Sequence, residues 1–343
     1  MKASGWAMLI RLIIIAVLIG VGSWWTVLAW GAEHHWLLAA WQYAPYWGLL
    51  PPVILTFALS LTQGWRWRLM SLTSLLVLLG PVMGFVWAQG DAGQGHVRLM
   101  TYNIKAYLNT TREPDGLARV AWEIAAHDPD IVVMQDAGEA GANEVPMTEQ
   151  AKRLVGDRQT YAFGQYIVAS RLPLRDCGQG FISYRNEPHT YVHCVVTAHG
   201  KDIDLITAHL LSPREGLNAM RELFWEGRGA WARNVAARMT QAKTLADVVS
   251  RRQRPMILAG DLNAPERSMV VQALTQAGLR DAFSAAGTGY GFTHGHSLRP
   301  GLSINRIDHI LVSDDIGVAH CEAGAKEPSD HRPVIADLWV HRD

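Results

Sequence analysis

The chain has 343 residues, enough for one large domain and an additional segment. Lys and Arg number 31, as do Asp and Glu, so the formal net charge is zero and the chain lacks the basic excess typical of non-specific nucleic-acid-binding proteins. The composition is uneven, because residues 1–89 hold ten of the fourteen Trp but only five charged side chains. The first part therefore has the composition of a membrane protein, and the rest has that of a soluble enzyme.

Three apolar stretches near the start contain no charged side chain: residues 12–30, 36–62 and 69–90. Each is long enough to cross a bilayer, which takes about 20 residues of helix. We therefore predict that residues 1–90 form a membrane anchor, with three transmembrane helices. A cleaved signal peptide fits poorly, because two further apolar stretches follow the first. Pro45, Pro51 and Pro52 would kink the middle stretch, so a broken or re-entrant helix is the alternative there.

The Lys and Arg residues of this segment predict its orientation in the membrane. Lys2 and Arg11 lie at the amino terminus, Arg66 and Arg68 lie between the second and third stretches, and the first loop has no basic residue. The positive-inside rule places both basic regions in the cytoplasm. With three spans, this predicts a multi-pass protein of the cell (inner) membrane whose catalytic domain is extracytoplasmic. If the middle stretch is re-entrant, the side depends on how the other two insert.

Residues 91–96 read as a short Gly-containing linker, and residues 97–343 read as the catalytic domain. In that domain, strand-like and helix-like segments alternate. The predicted strands are 97–102, 131–134, 166–170, 191–197, 202–207, 255–259, 307–312 and 333–339, and the clearest helices are 115–127 and 229–250.

Six short motifs lie where these predicted strands begin or end. They read TYNIK, MQD, TAHL, GDLN, RIDH and SDHRP, and they begin at residues 101, 134, 207, 260, 306 and 329. Each supplies an amide, a carboxylate or an imidazole at such a point. Several strands that present Asn, Asp and His at one edge make a site for a hard cation and a phosphate.

With these motifs in this order, residues 95–340 resemble the endonuclease/exonuclease/phosphatase superfamily. The superfamily includes DNase I-like nucleases, sphingomyelinases and inositol-phosphate phosphatases, and this chain resembles a membrane-anchored bacterial-type member. The resemblance implies an α/β fold in which transmembrane helices precede a two-sheet β-sandwich flanked by helices, the four-layer DNase I-like fold. It also implies a metal-dependent phosphoesterase site in the loops at one edge of the sandwich.

The resemblance assigns a role to each candidate residue. It makes Asn103, Asp136 and Asp330 ligands of Mg²⁺ or Mn²⁺, and His209 a leaving-group acid or phosphate donor. Asp261 would hold the attacking water or the metal, and Asn263 would donate to a phosphoryl oxygen. Asp308 would orient His331, which would act as general base or phosphate clamp. Whether Asp261 or His331 takes the proton stays open.

The chain departs from the family pattern at one position. The family usually has Gln-Glu where this chain has Gln135 and Asp136, and the shorter Asp side chain changes the metal geometry. Glu139 is a fallback ligand, although a solvated loop carboxylate is its plainer role.

Several other residues near these motifs have two readings. Arg306 and Arg332 could meet phosphate or form packing salt bridges. His294, His296 and His309 lack the spacing of a zinc motif such as HExxH, so we do not predict zinc. Cys177 and Cys194 could pair in an oxidising compartment and leave Cys321 over, but three buried thiols is the interpretation that we favour.

Three functional hypotheses follow. The first is a membrane-anchored divalent-metal-dependent phosphoesterase that hydrolyses a phosphate ester or pyrophosphate of a lipid at the outer face, with the lipid bilayer as its partner. The second is an extracytoplasmic endonuclease or exonuclease, which the slightly acidic second part of the chain disfavours. The third is a catalytically weakened membrane binding module, for which Asp136 is the best support.

Overall fold

The structure is a computed structural model that describes residues 5–93, 96–107, 115–142, 144, 146–184, 187–295, 302–325 and 329–340. The chain divides into two compact units, Met1–Val86 and Trp87–Asp343. Lys2 and His296, which the sequence analysis singles out, lie outside the described residues.

The first unit is helical. Helix α1 (Gly5–Trp30) is followed by α2 (Trp36–Trp41), α3 (Leu50–Ser60) and α4 (Trp65–Val77), with short turns of 3₁₀ helix at Ala32–His34 and Tyr46–Leu49 and a π-helical turn at Leu78–Val82. Within the described residues, only α1 is long and apolar enough to cross a membrane. At 1.5 Å per residue its 26 residues span about 39 Å, more than a hydrocarbon core of about 30 Å.

The prediction of three membrane-spanning helices is therefore supported for the first apolar stretch only. The middle stretch is broken between α2 and α3, because Pro51 and Pro52 occupy the first turn of α3 and cannot continue a preceding helix. The helical part of the third stretch ends in the π-helical turn, which contains Pro81. The sequence analysis anticipated the break in the middle stretch and missed the early end of the third.

Arg11 and Arg68 of this unit both contact the turn between α3 and α4. Arg11, in the first turns of α1, donates through Nε to Gln63 Oε1 at 3.2 Å and stacks over the Trp67 ring at 5.4 Å. Arg68 donates to the carbonyl oxygens of Leu61 and Gln63 in the turn between α3 and α4. The beginning of α1 and the α3–α4 turn therefore lie at the same end of the unit.

The second unit contains two six-stranded sheets. The strands in the described residues are β1 (Val86–Trp87), β2 (Val97–Asn103), β3 (Ile131–Gln135), β4 (Gln159–Phe163), β5 (Tyr166–Ser170), β6 (Leu174–Tyr184), β7 (Glu187–Ala198), β8 (Lys201–His209), β9 (Met256–Asp261), β10 (Leu279–Asp281), β11 (Thr288–Gly289), β12 (Asp308–Ser313), β13 (Ile316–Ala323) and β14 (Val334–Val340). The first sheet has the order β13-β14-β2-β3-β5-β4, and the second has the order β10-β12-β9-β8-β7-β6.

Each six-stranded sheet is mixed and has a parallel pair at its centre. In the first sheet β2 runs parallel to β3, with Asn103 opposite Gln135 at their carboxyl ends. In the second sheet β8 runs parallel to β9, with His209 opposite Asp261. Because parallel strands end on the same side of a sheet, each pair brings the carboxyl ends of two strands to one edge.

In the described part of this unit, six α-helices accompany the sheets: α5 (Gly116–His127), α6 (Glu149–Val155), α7 (Arg214–Glu222), α8 (Phe224–Ser250), α9 (Met269–Gln276) and α10 (Ala282–Ala286). One face of the first sheet packs on α5 and α6, through residues such as Met100 and Met134. One face of the second sheet packs on α8 and α9, through residues such as Ile206 and Leu258. The other faces of the two sheets meet, which gives the sandwich flanked by helices that the sequence predicts.

Cys177 and Cys194 form a disulfide, so the expectation of three free thiols is wrong. The two residues lie on the antiparallel neighbours β6 and β7, where a register shift after Arg175 places Cys177 beside Cys194. Cys321 is a buried free thiol on β13.

Titration of thiols in the unfolded protein tests this pairing. We expect one reactive thiol without reductant and three after reduction, because only Cys321 is free. The disulfide closes a loop with a sequence separation of 17, so its loss in the Cys177→Ser/Cys194→Ser variant should cost about 3 kcal/mol of stability. Three reactive thiols in protein that was never reduced would contradict the pairing.

Candidate active site

The alternation of side chains along the strands collects four of the predicted site residues. Asn103, His209 and Asp261 end β2, β8 and β9, and Asp308 begins β12 opposite Asp261. Side chains alternate between the two faces of a strand, and the neighbours Tyr102, Ala208 and Gly260 lie on the helix-facing side. The four polar side chains therefore project into the space between the two sheets.

Asp261 lies at the centre of the site and is 1% exposed. Asn103 Nδ2 donates to Asp261 Oδ2 at 2.9 Å and so links the two sheets. The backbone N–H of Asn263 donates to Asp261 Oδ1 at 2.8 Å. Although burial opposes the charged form, the imidazoles of His331 and His209 lower the pKa of Asp261.

Gly260 lies where two strands of the second sheet approach each other closely. It lies inside β9 opposite Ala208, and a Cβ at this position would lie 2.0 Å from the Ala208 carbonyl oxygen. The absence of a side chain lets β8 and β9 approach each other where they deliver His209 and Asp261.

Two Asp–His pairs converge on Asp261. His331 Nδ1 lies 2.9 Å from Asp308 Oδ2, and His331 Nε2 lies 3.7 Å from Asp261 Oδ2. His209 Nδ1 lies 3.4 Å from Asp136 Oδ1, and His209 Nε2 lies 3.5 Å from the same oxygen of Asp261. Each imidazole thus has a carboxylate on Nδ1 and directs Nε2 toward Asp261.

These contacts shift the pKa values of the pairs. Burial raises the pKa of Asp308. Burial alone would lower the pKa of His331, but the carboxylates of Asp308 and Asp261 raise it to about 9. The pKa of His209 is also raised, because Asp136 and Asp261 outweigh the effect of burial.

Asp136 binds a lysine that the sequence analysis did not single out. Asp136 directly follows β3 with a left-handed backbone (φ 49°), a conformation that Asp adopts more readily than most residues. Lys105 Nζ lies 2.5 Å from Asp136 Oδ2. Burial opposes the charge on both, but His209 and Lys105 hold the pKa of Asp136 well below its usual range. Asp136 and Asp261 in turn raise the pKa of Lys105.

The remaining predicted site residues lie beside this centre. The family resemblance implies that Asn263 donates to a phosphoryl oxygen. In the structure, Asn263 Nδ2 donates to the Leu210 carbonyl oxygen at 2.9 Å and so holds the loop that follows β8. Asp330 lies on the His331 side, with Oδ2 4.0 Å from His294 Nε2 and 3.9 Å from Arg214 Nη2. The predicted ligands Asn103, Asp136 and Asp330 thus lie beside Asp261, His209 and His331, respectively.

Two groups of side chains have the spacing of a cation site. Asp261, Asp308 and His331 each offer one ligand atom within 4.8 Å of the others, and so do His294, Asp330 and His331. Asp136 and Asp261 form a third place for positive charge, since they already hold the Lys105 ammonium. Carboxylate and amide oxygens suit Mg²⁺ or Mn²⁺, so Asn103, Asp136 and Asp261 fit a divalent ion of this kind.

Other residues near the site are structural or were missed. Arg306 pairs with Asp281 and Arg332 donates to backbone carbonyls, which is the packing reading of both. Glu139 is exposed in a 3₁₀ turn. Gln165 and Tyr166 were missed, although Gln165 Oε1 lies 2.6 Å from His209 Nδ1 and the Tyr166 hydroxyl accepts from the His209 N–H at 2.9 Å.

A protein-family model described as the endonuclease/exonuclease/phosphatase family matches residues 100–331, a range that includes every predicted site residue. The chain belongs to the endonuclease/exonuclease/phosphatase family. Members of this family are typically metal-dependent hydrolases of phosphoester bonds. A search of curated protein sequences found no significant match.

Solved structures share the fold of this family member at low sequence identity. A family protein from Leptotrichia buccalis has 17% identity and a TM-score of 0.52, and the match covers 71% of this chain and 99% of that one. A family protein from Bacteroides vulgatus has 19% identity and a TM-score of 0.54, with 72% and 100% covered. D. rerio TDP2 complexed with a single-strand DNA product has 15% identity and a TM-score of 0.54, also with 72% and 100% covered.

Lys105 gives this family member a testable property. Replacing Lys105 with Gln removes the ammonium that lies against Asp136, and we expect Mn²⁺ affinity to tighten by about tenfold, because the two carboxylates then lack a counter-charge. Calorimetric titration of Mn²⁺ measures the change. Lys152→Gln is the matched control, since Lys152 pairs with Glu149 on the exposed face of α6. Equal affinity in the Lys105→Gln variant and the wild type would contradict the prediction.

Proposed function

We propose that this protein is a membrane-attached, divalent-metal-dependent phosphoesterase that hydrolyses a phosphate ester or pyrophosphate of a lipid at the outer face of the membrane. The convergence of the Asp136–His209 and Asp308–His331 pairs on Asp261 carries the proposal. One carboxylate between two oriented imidazoles supplies the proton acceptor and the donors that hydrolysis of a phosphoester requires.

We assign the following roles in the reaction. Asn103, Asp136 and Asp261 would hold the metal ion, which neutralises charge on the phosphoryl oxygens when bound. Asp261 orients the attacking water and accepts its proton. His331, held through Nδ1 by Asp308, donates from Nε2 to a phosphoryl oxygen. His209, held by Asp136 and Gln165, protonates the leaving oxygen.

The first unit supports attachment to a membrane. Within the described residues, helix α1 alone is long enough to span, and an odd number of spans, one or three, would put the second unit on the side opposite the amino terminus. Arg11 and Arg68 both contact the α3–α4 turn, and the positive-inside rule expects such basic side chains at a cytoplasmic end. The Cys177–Cys194 disulfide supports an oxidising, extracytoplasmic location for the second unit.

Exposed apolar side chains of the second unit favour a lipid substrate. Leu223 and Trp225, where α7 meets α8, are 59% and 72% exposed. Trp231, on the same helix, is fully buried and packs in the core. Aromatic side chains of this kind bind at membrane interfaces.

A nuclease is the second candidate function. The observation that favours it is the structural similarity to TDP2, whose structure was determined with a single-strand DNA product. The acidic balance of residues 90–343 opposes it, since non-specific DNA binding depends on Lys and Arg.

A phosphate-release screen of the purified full-length protein tests the proposal. The substrates are a polyprenyl pyrophosphate, phospholipids and duplex DNA, each with Mg²⁺ or Mn²⁺. We expect metal-dependent release from a lipid substrate, loss of release in Asp261→Asn, and no loss in Asp204→Asn, whose carboxylate pairs with Arg254 at the surface. Faster cleavage of DNA than of any lipid would favour the nuclease, and no release from any substrate would favour the weakened module.

A further inference from the structure

A cluster of two imidazoles and one carboxylate lies at the rim of the site. Asp330 Oδ2 is 4.0 Å from His294 Nε2, and Asp330 Oδ1 is 3.9 Å from His331 Nε2. The rings of His294 and His331 have centroids 4.6 Å apart. The side chains of His294, Asp330 and His331 are 20%, 10% and 3% exposed, so the cluster is partly open to solvent, most of all at His294.

The backbone holds these residues in place. His294 forms β-bridges with Asn305 on one side and with His331 on the other. His294 N–H donates to the Asn305 carbonyl at 3.0 Å, and the Ile304 N–H donates to the His294 carbonyl at 2.9 Å. The position of His294 is therefore set by paired chain on both sides.

The orientation of His331 also suits a metal ligand. Its Nδ1 is held by Asp308, which leaves Nε2 to face Asp330 and Asp261. Metal-binding histidines almost always make such a contact from the other ring nitrogen, because it fixes the tautomer and the ring orientation.

We propose that His294, Asp330 and His331 form a binding site for Zn²⁺ or a similar borderline-soft divalent ion, distinct from the oxygen-rich corner at Asp136. Bonds of about 2.0–2.2 Å to zinc place neighbouring ligand atoms roughly 3.3 Å apart. The three ligand atoms lie within 4.8 Å of one another, so each pair must close by less than about 1.5 Å. Two nitrogen donors favour Zn²⁺ over Mg²⁺, which prefers oxygen ligands. Water or a phosphoryl oxygen would complete the coordination.

Occupation of this site has a consequence that rests on the proposed function. The metal would engage His331 Nε2, the atom that we assign to the phosphoryl oxygen. Zn²⁺ would therefore inhibit hydrolysis that Mg²⁺ or Mn²⁺ supports. The site was missed in the sequence because His294 and the Asp330–His331 pair come from two bridged segments, and a local spacing rule cannot detect them.

Binding is tested without any substrate. Co²⁺ is titrated into untagged, metal-free full-length protein, and visible absorption reports low-symmetry coordination; Zn²⁺ is then added as competitor. We expect Zn²⁺ to displace Co²⁺ in the wild type, and His294→Ala to weaken Co²⁺ binding by at least about tenfold. His320→Ala is the control, because His320 is an exposed histidine on β13.

The outcomes separate this inference from the proposed function. Equal Co²⁺ affinity in the wild type and in both His294→Ala and His294→Gln, with folding verified by circular dichroism, would overturn the site. Binding that His294→Ala abolishes supports the site even if no substrate is hydrolysed. If hydrolysis is found, Zn²⁺ should inhibit it at a concentration that rises at least about tenfold in His294→Ala; inhibition that is unchanged by the substitution would overturn the regulatory role.

Discussion

Replacing Asp308 with Asn should lower kcat for phosphoester hydrolysis by about a thousandfold while the fold stays intact. The Asp308 carboxylate accepts from His331 Nδ1 at 2.9 Å and keeps Nε2 directed at Asp261. An amide in its place removes the negative charge that helps to raise the pKa of His331, so the imidazole loses the positive charge with which Nε2 donates to the phosphoryl oxygen. KM should change less than kcat, because His331 acts on charge that develops in the transition state.

The measurement is steady-state hydrolysis of the substrate found in the screen, with circular dichroism and thermal melting to verify folding. Asp204→Asn is the control at the other end of the second sheet, where the carboxylate pairs with Arg254 near the surface. A kcat within a factor of about three of the wild type would show that His331 does not depend on Asp308.

Replacing Asp281 with Asn should destabilise the protein by about 3–5 kcal/mol at neutral pH. Both oxygens of Asp281 accept from Arg306 Nη1, at 2.8 and 2.7 Å, and His309 Nδ1 lies 3.2 Å away. Arg306 is 2% exposed, so removal of the carboxylate leaves its charge buried without a counter-charge. For a domain of this size the thermal midpoint should fall by roughly 10 °C.

The destabilisation should depend on pH in a defined direction. Burial opposes the charged carboxylate, but Arg306 and His309 hold the pKa of Asp281 well below its usual range. A depressed folded-state pKa adds stability above the unfolded value of about 3.9, and that stability is lost as the pH falls. The difference between wild type and Asp281→Asn should therefore be full at pH 7 and shrink below about pH 4.

The surface pair of Arg98 and Asp337 provides the matched control for thermal melting in detergent. Arg98 is 44% exposed, and Asp337→Asn should cost less than about 1 kcal/mol. A shift of the same size in Asp281→Asn and Asp337→Asn would contradict the importance of the buried pair.

Strand geometry explains why the sequence could indicate which side chains converge at the centre of the candidate site. Asn103, His209, Asp261 and Asp308 stand at strand ends with one parity, and the period of two then directs them between the sheets. The Asp308–His331 contact, which the family resemblance implied, is present in the structure.

The rest depended on contacts between distant segments, which a local pattern does not encode. Lys105 is the last residue of the TYNIK motif, but only the fold shows that its ammonium group contacts Asp136. A β-bridge between His294 and His331 brings His294 close to Asp330, and a register shift between β6 and β7 places Cys177 beside Cys194. The described residues contain one helix of spanning length where the sequence predicts three, because prolines interrupt the second and third apolar stretches.

The position of β14 has a consequence for biosynthesis. Val334 of β14 pairs with Thr101 of β2, so the first sheet is closed by a strand that the ribosome makes long after β2. His331 immediately precedes that strand and arrives equally late. A nascent chain that lacks residues 329–340 therefore has neither the β2–β14 pairing nor the imidazole that Asp308 contacts. The first sheet and the candidate site can be completed only when synthesis of the second unit is nearly finished.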